Sequence, residues 1–124
     1  MKKIAIMIAA VAASLPMMAR TVANDTIKAQ YPGGAEALAA YIEANRQYPP
    51  MALRNGIEGI VDVRFIVKID GSREQLSIVR LVDPDLEAEA IRLVKNMPAW
   101  TPATVMGEPV ESQSDVKVAF ELPE

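Results

Sequence analysis

The run from Gly59 to Ile69 constrains this chain more than any other feature. Its odd positions, Val61, Val63, Phe65, Val67 and Ile69, are apolar, while Asp62, Arg64 and Lys68 occupy even ones. Apolar residues at every second position place one face of a strand in a core and the other in water. Such a strand needs neighbours for its backbone and a cover for its apolar face. Asp70-Gly71 is a turn pair, and Leu76 to Val82 reads as the return strand, with apolar residues on both of its faces.

Two amphipathic segments can supply the cover. Tyr31-Pro32-Gly33-Gly34 is a turn into a helix over Ala35 to Asn45, where Leu38, Tyr41 and Ile42 share a face. That helix should stop before Tyr48-Pro49-Pro50, and Pro50 suits the first position of a short helical turn, Met51 to Arg54. Asp83-Pro84 opens a second helix, with an acceptor at the N-cap and a proline where no amide donor is needed. Leu86, Ala90, Leu93, Val94 and Met97 form its apolar stripe, and Pro98 ends it. A loop from Ala99 to Pro109 holds the single tryptophan, Trp100, and a Met106-Gly107 turn. Val116, Val118, Phe120 and Leu122 then alternate with Lys117, Ala119 and Glu121 in a last half-buried strand. The order helix, strand, strand, helix, strand predicts an α+β fold, two helices on one face of a three-stranded antiparallel sheet. The last strand is expected beside the first, giving the order 2-1-3.

Composition narrows the function. At 124 residues, 51% apolar and 23% charged, the chain affords one packed core. Neither His nor Cys occurs, which removes disulfides, Cys or His nucleophile pairs, Ser–His–Asp triads and cysteine–histidine zinc sites. A net charge of −3 argues against nucleic acid as a partner. The serines lack a histidine base, and Asp83, Asp85, Glu87 and Glu89 lack the spacing and glycine of a calcium loop. Those acids read as a solvated helix start beside the positive end of the helix dipole. No catalytic residue, metal or cofactor is expected.

The N-terminus reads as a secretory signal peptide over residues 1–23. Met1-Lys2-Lys3 is cationic, Ile4 to Leu15 is uncharged, and Thr21 and Ala23 are small residues at a cleavage site. Cleavage after Ala23 removes Lys2, Lys3 and Arg20 from the 13 basic residues, leaving 10 against 16 acidic ones and a net charge of −6. Residues 24–30 then form a short linker to a domain over 31–124. An uncleaved inner-membrane anchor is the competing reading, but the apolar stretch is shorter than the ~20 residues that span a bilayer.

The motifs, taken in order, resemble a known family. Tyr31-Pro32-Gly33-Gly34, Tyr48-Pro49, Gly56-Ile57-Glu58-Gly59, Asp70-Gly71, Asp83-Pro84-Asp85-Leu86, Met97-Pro98-Ala99-Trp100-Thr101-Pro102 and Gly107-Glu108-Pro109-Val110 are similar to the C-terminal domain of TonB. The resemblance implies a periplasmic module that grips the plug segment of outer-membrane transporters by strand addition. An extended peptide, the TonB box, would pair with the last strand, here Asp115, Val116, Lys117, Val118, Ala119, Phe120, Glu121 and Leu122. Tyr48 and Pro49 lie in the region that family members use near that contact. Gly33, Gly34, Phe65, Leu86, Pro98 and Trp100 are read as structural. The implied partner is a TonB-box-like segment of an outer-membrane transporter or another periplasmic protein. The alternatives are a membrane-anchored energy transducer and a module that forms a homodimer through its open edge.

Overall fold

A computed structural model of the chain describes residues 25–123. The expectations for residues 1–23 lie outside that range. The elements in chain order are β1 (Thr26–Ile27), α1 (Gly34–Asn45), α2 (Pro50–Arg54), β2 (Gly59–Val67), β3 (Arg73–Ile78), α3 (Pro84–Lys95), β4 (Ala103–Val105), β5 (Glu108–Val110) and β6 (Ser112–Phe120). The larger sheet is antiparallel with the order β3-β2-β6, the 2-1-3 order expected from the succession of elements. The fold is α+β.

The core follows from the period-two strands. Val61, Val63, Phe65 and Val67 of β2 are fully buried, and Val116, Val118 and Phe120 continue the same apolar face on β6. Helix α3 lies across this face through Leu86, Ala90, Leu93 and Val94, all fully buried. Its start is fixed by the Asp83 carboxylate, which accepts from the amides of Asp85 and Leu86 at 3.0 and 3.1 Å. Helix α1 closes the core with buried Ile42 and half-buried Leu38 and Tyr41. The Tyr41 hydroxyl donates to the Leu93 carbonyl at 2.7 Å and ties the two helices together.

Several boundaries differ from the sequence reading. Strand β2 ends at Val67, so Ile69 sits in the turn and is exposed. The return strand runs from Arg73 to Ile78, and Val79, Leu81 and Val82 lie outside it, exposed. A register shift between Arg64 and Ile66 explains the ambiguous alternation there, with Gln75 at φ +57 taking up the extra residue. Helix α3 stops at Lys95. Arg73 meets its end, donating to the carbonyls of Val94, Lys95, Met97 and Pro98 at 2.6–3.4 Å.

A second sheet, β1-β4-β5, was not expected from the sequence. The stretch read as a linker is stitched to the domain from Asp25 onward. Thr26 and Ile27 pair with Val105 and Thr104, and Gln30 and Thr101 exchange backbone hydrogen bonds of 3.0 and 2.9 Å. The loop from Ala99 to Pro109 supplies β4 and the start of β5, joined by a two-residue turn with Met106 at φ +53 and Gly107 at φ +83. Both positive angles match the mirror-image turn that suits a tight hairpin. Strands of two or three residues carry too few alternations to be read from sequence.

Candidate functional site

Strand β6 is an edge of the larger sheet. Which of its backbone groups face outward follows from one bond across the other side of β2. The Val79 amide donates to the Asp62 carbonyl at 2.9 Å, so the backbone of Asp62 faces β3. Along an antiparallel strand the backbone groups of successive residues point to opposite sides, so Val61 and Val63 face β6. Val61 stands opposite Val118 and Val63 opposite Val116. Val116 and Val118 are therefore bonded to β2, and Gln113, Asp115, Lys117 and Ala119 turn their N–H and C=O groups away from it. Among the described residues no strand pairs with that side.

The side chains on this edge do not block it. Lys117 projects to the outer face of the sheet, with its ammonium 3.3 Å from Asp62 and 3.5 Å from Asp115. Its hydrogen bonds to Asp62 and then Asp115 push its pKa up. Pro109 and Pro123 lie outside the strand. Native edges are commonly blunted by inward charges, prolines or bulges, and the paired side of β6 runs through nine consecutive partners without a register shift. Past the strand, Glu121 is exposed, and the Leu122 amide donates to the Glu58 carboxylate at 2.7 Å. Those two residues of the expected site are not part of the open ladder.

A groove of about 490 Å³ runs along the first half of this edge. Ser112, Gln113, Ser114 and Asp115 form one wall, and the segment from Lys28 to Tyr31 with Gly34, Ala35 and Leu38 forms the other. Trp100 lies at its base, with its ring edge-on to Phe65 at 5.2 Å and to Tyr31 at 6.1 Å. The indole N–H donates to the Met97 sulfur at 3.4 Å, and Trp100 is only 6% exposed. The groove exists because the inward positions of β6 are serines at 112 and 114, where the rest of the strand carries Val116, Val118 and Phe120. The groove wall from α1 and the segment before it was missed at the sequence level. The missing aliphatic residues at the start of an otherwise alternating strand were the available signal.

Tyr48 sits at the other end of β6. Its ring packs edge-on against Phe120 at 5.7 Å, and its hydroxyl donates to the Ile57 carbonyl. Pro49 lines a separate hollow of about 470 Å³ between α2 and α3. Glu89, expected among the solvated acids, is instead 8% exposed beside that hollow. Its carboxylate accepts from the Gln47 amide at 2.7 Å and from the Arg92 guanidinium at 2.7 Å. Burial raises the Glu89 pKa, but the bonds from Arg92 and Gln47 outweigh it and hold the carboxyl below its ordinary value. Of the residues read as structural, Phe65, Leu86 and Trp100 are buried in the core, Pro98 is exposed at the end of α3, and Gly33-Gly34 forms the turn into α1.

Residues 44–122 match the family described as the Gram-negative bacterial TonB protein C-terminal. The chain belongs to this family. Two solution structures of the Helicobacter pylori TonB C-terminal domain are similar to it. The one spanning that protein's residues 179–285 is 26% identical with a TM-score of 0.53, covering 69% of this chain and 78% of its own. The one spanning residues 194–285 is 28% identical with a TM-score of 0.52, covering 72% and 94%. No curated protein matches the chain. In this TonB-type domain the matched region holds α2, both β2 and β6 of the open-edged sheet, and Trp100, whereas the α1 side of the groove lies mostly before it. Among the described residues no helix is long and apolar enough to cross a membrane.

Proposed function

We propose that this protein is a non-enzymatic periplasmic binding module, exported with removal of residues 1–23, that receives an extended segment of a partner protein as a fourth strand on β6. The observation that carries the reading is the row of outward backbone groups at Gln113, Asp115, Lys117 and Ala119, which no described strand pairs, with a groove of about 490 Å³ beside Gln113 and Asp115. Main-chain bonds along such an edge supply affinity, and alternate side chains supply selectivity. Membership in the TonB C-terminal family supports a segment of an outer-membrane transporter as the partner.

Proline substitution tests the edge directly, because proline removes one N–H donor and bars its position from a ladder. Ala119→Pro removes an outward amide and should abolish peptide binding while leaving the urea midpoint near that of the parent. Val118→Pro removes an amide bonded to β2 and should damage the fold itself. Amide chemical shifts measured during titration with TonB-box-like peptides should change along β6. Shifts confined to α1 and α3, or undiminished binding to Ala119→Pro, would refute strand addition.

A further inference from the structure

The turn that leaves β3 carries a surface that strand addition does not use. Val79, Arg80, Leu81 and Val82 are four consecutive exposed residues, three of them apolar, and Leu81 is 81% exposed. A water-facing run of this kind is a liability in a lone domain and marks a contact in one that has a partner. Beside it, on the outer face of the larger sheet, lies a hollow of about 340 Å³ lined by Ile60, Asp62, Val79, Arg80 and Lys117. Ile60 is exposed there because the alternation of β2 buries Val61 and turns its neighbour outward. Leu81 is not among the residues that line the hollow. One surface therefore carries an aliphatic knob and an aliphatic-walled hole side by side, and the knob does not enter its own hole.

The charges show the same mismatch. One carboxylate oxygen of Asp62 lies 3.3 Å from the Lys117 ammonium, while the other, Oδ1, is buried and accepts no hydrogen bond among the described residues. Arg80 lines the same hollow and forms no ion pair among the described residues. A cation without a partner and an acceptor without a donor thus share one patch with a knob and a hole. A two-fold contact needs that kind of surface, since each copy meets the other with the same residues. We infer that two copies of this chain pair through this corner of the sheet, Leu81 of each entering the hollow of the other and Arg80 of each meeting Asp62 of the other. Arg80 and Leu81 are adjacent in sequence, so the arginine arrives with the leucine and supplies Asp62 with a charge-assisted bond. A different protein would have to match all four features, whereas a second copy matches them by carrying them. The outward backbone groups of β6 lie in the plane of the sheet, so a contact on its outer face leaves them open. Few residues take part, against the roughly 20–30 a side of a standard interface, so the pair is weak and forms at high concentration.

Sedimentation equilibrium of the exported protein tests this from about 10 μM to 1 mM, the range expected for so small a contact. The average mass should rise from one copy toward two. Leu81→Asp should raise the dissociation constant about a hundredfold, because the two-fold axis counts the loss of one buried leucine twice. Leu81 is exposed within a single copy, so the urea midpoint of that variant should stay at the parent's value. A mixing experiment reads the charge pairing. Arg80→Glu alone and Asp62→Lys alone set like charges against each other at both ends of the contact, and each should be monomeric. Mixed in equal amounts, the two variants restore an opposite-charge pair at both ends and should form the mixed dimer. Ala119→Pro, which spoils the open edge, should leave the parent dimer intact. A single copy at every concentration, a dimer indifferent to Leu81→Asp, or a mixture that stays monomeric would overturn the inference. A dimer lost in Ala119→Pro would assign self-association to the edge of β6 and overturn it as well.

Discussion

Gly71 and Gly107 form a matched pair that separates backbone strain from steric conflict. Both have positive φ, +88 and +83, where an L residue with a Cβ is strained by about 1 kcal/mol. A Cβ on Gly107 would meet nothing within 4 Å. A Cβ on Gly71 would be driven into the Trp100 carbonyl oxygen, with Ala99 Cβ at 3.1 Å and Trp100 N at 3.2 Å. Those atoms are backbone and short side chain, so a rotamer change cannot clear them. The loop carrying Trp100 must move, which breaks the 2.9 Å bond from the Trp100 amide to the Gly71 carbonyl. Overpacking adds about 1–3 kcal/mol and the lost bond about 1 kcal/mol more. Gly107→Ala should therefore destabilise by about 1 kcal/mol and Gly71→Ala by about 3–5 kcal/mol. Urea denaturation followed by fluorescence is well suited, because Trp100 is the only tryptophan in the chain. Gly71→Ala should also shift the native emission, since the indole is held against Phe65 and Tyr31. Equal losses within about 0.5 kcal/mol, below the scatter that separates independent sites, would refute the steric argument.

Phe65→Ala should destabilise by about 3–5 kcal/mol in the same urea experiment, because a fully buried ring beside Trp100 leaves a cavity that α3 cannot collapse into. A loss under about 1 kcal/mol would show that the residue is not in the core. Glu89 makes stability depend on acid. Its carboxyl is held below the unfolded value, so its contribution is fully present above the unfolded pKa of about 4.5 and is lost as pH falls through the lower folded value. The gap in urea midpoint between the parent and Glu89→Gln should therefore be present at neutral pH and close in strong acid. A gap that does not change with pH would refute the link.

The alternation of Val61, Val63, Phe65 and Val67 was enough to fix which face of β2 is buried, and Asp83-Pro84 marked the start of α3 to the residue. Both signals are local, since a strand's period and a helix cap act within a few residues. Glu89 was legible in principle. It follows Leu86 by three positions and precedes Leu93 by four, so it falls on the buried stripe, and only its charge argued for solvent. Which amides of β6 face outward was not legible, because alternation of side chains fixes the faces of a strand but not which neighbour its backbone meets. The Val79–Asp62 bond and the unbroken β2–β6 register decided that, and so chose Ala119 over Val118 as the open position. The groove likewise depends on Ala29, Tyr31 and Leu38 standing across from Ser112 and Ser114, more than seventy positions away along the chain. Arg73 reaching the carbonyls at the end of α3 is of the same kind. Contacts between distant segments leave no period in the sequence, since each arises only when packing brings two independent local structures together.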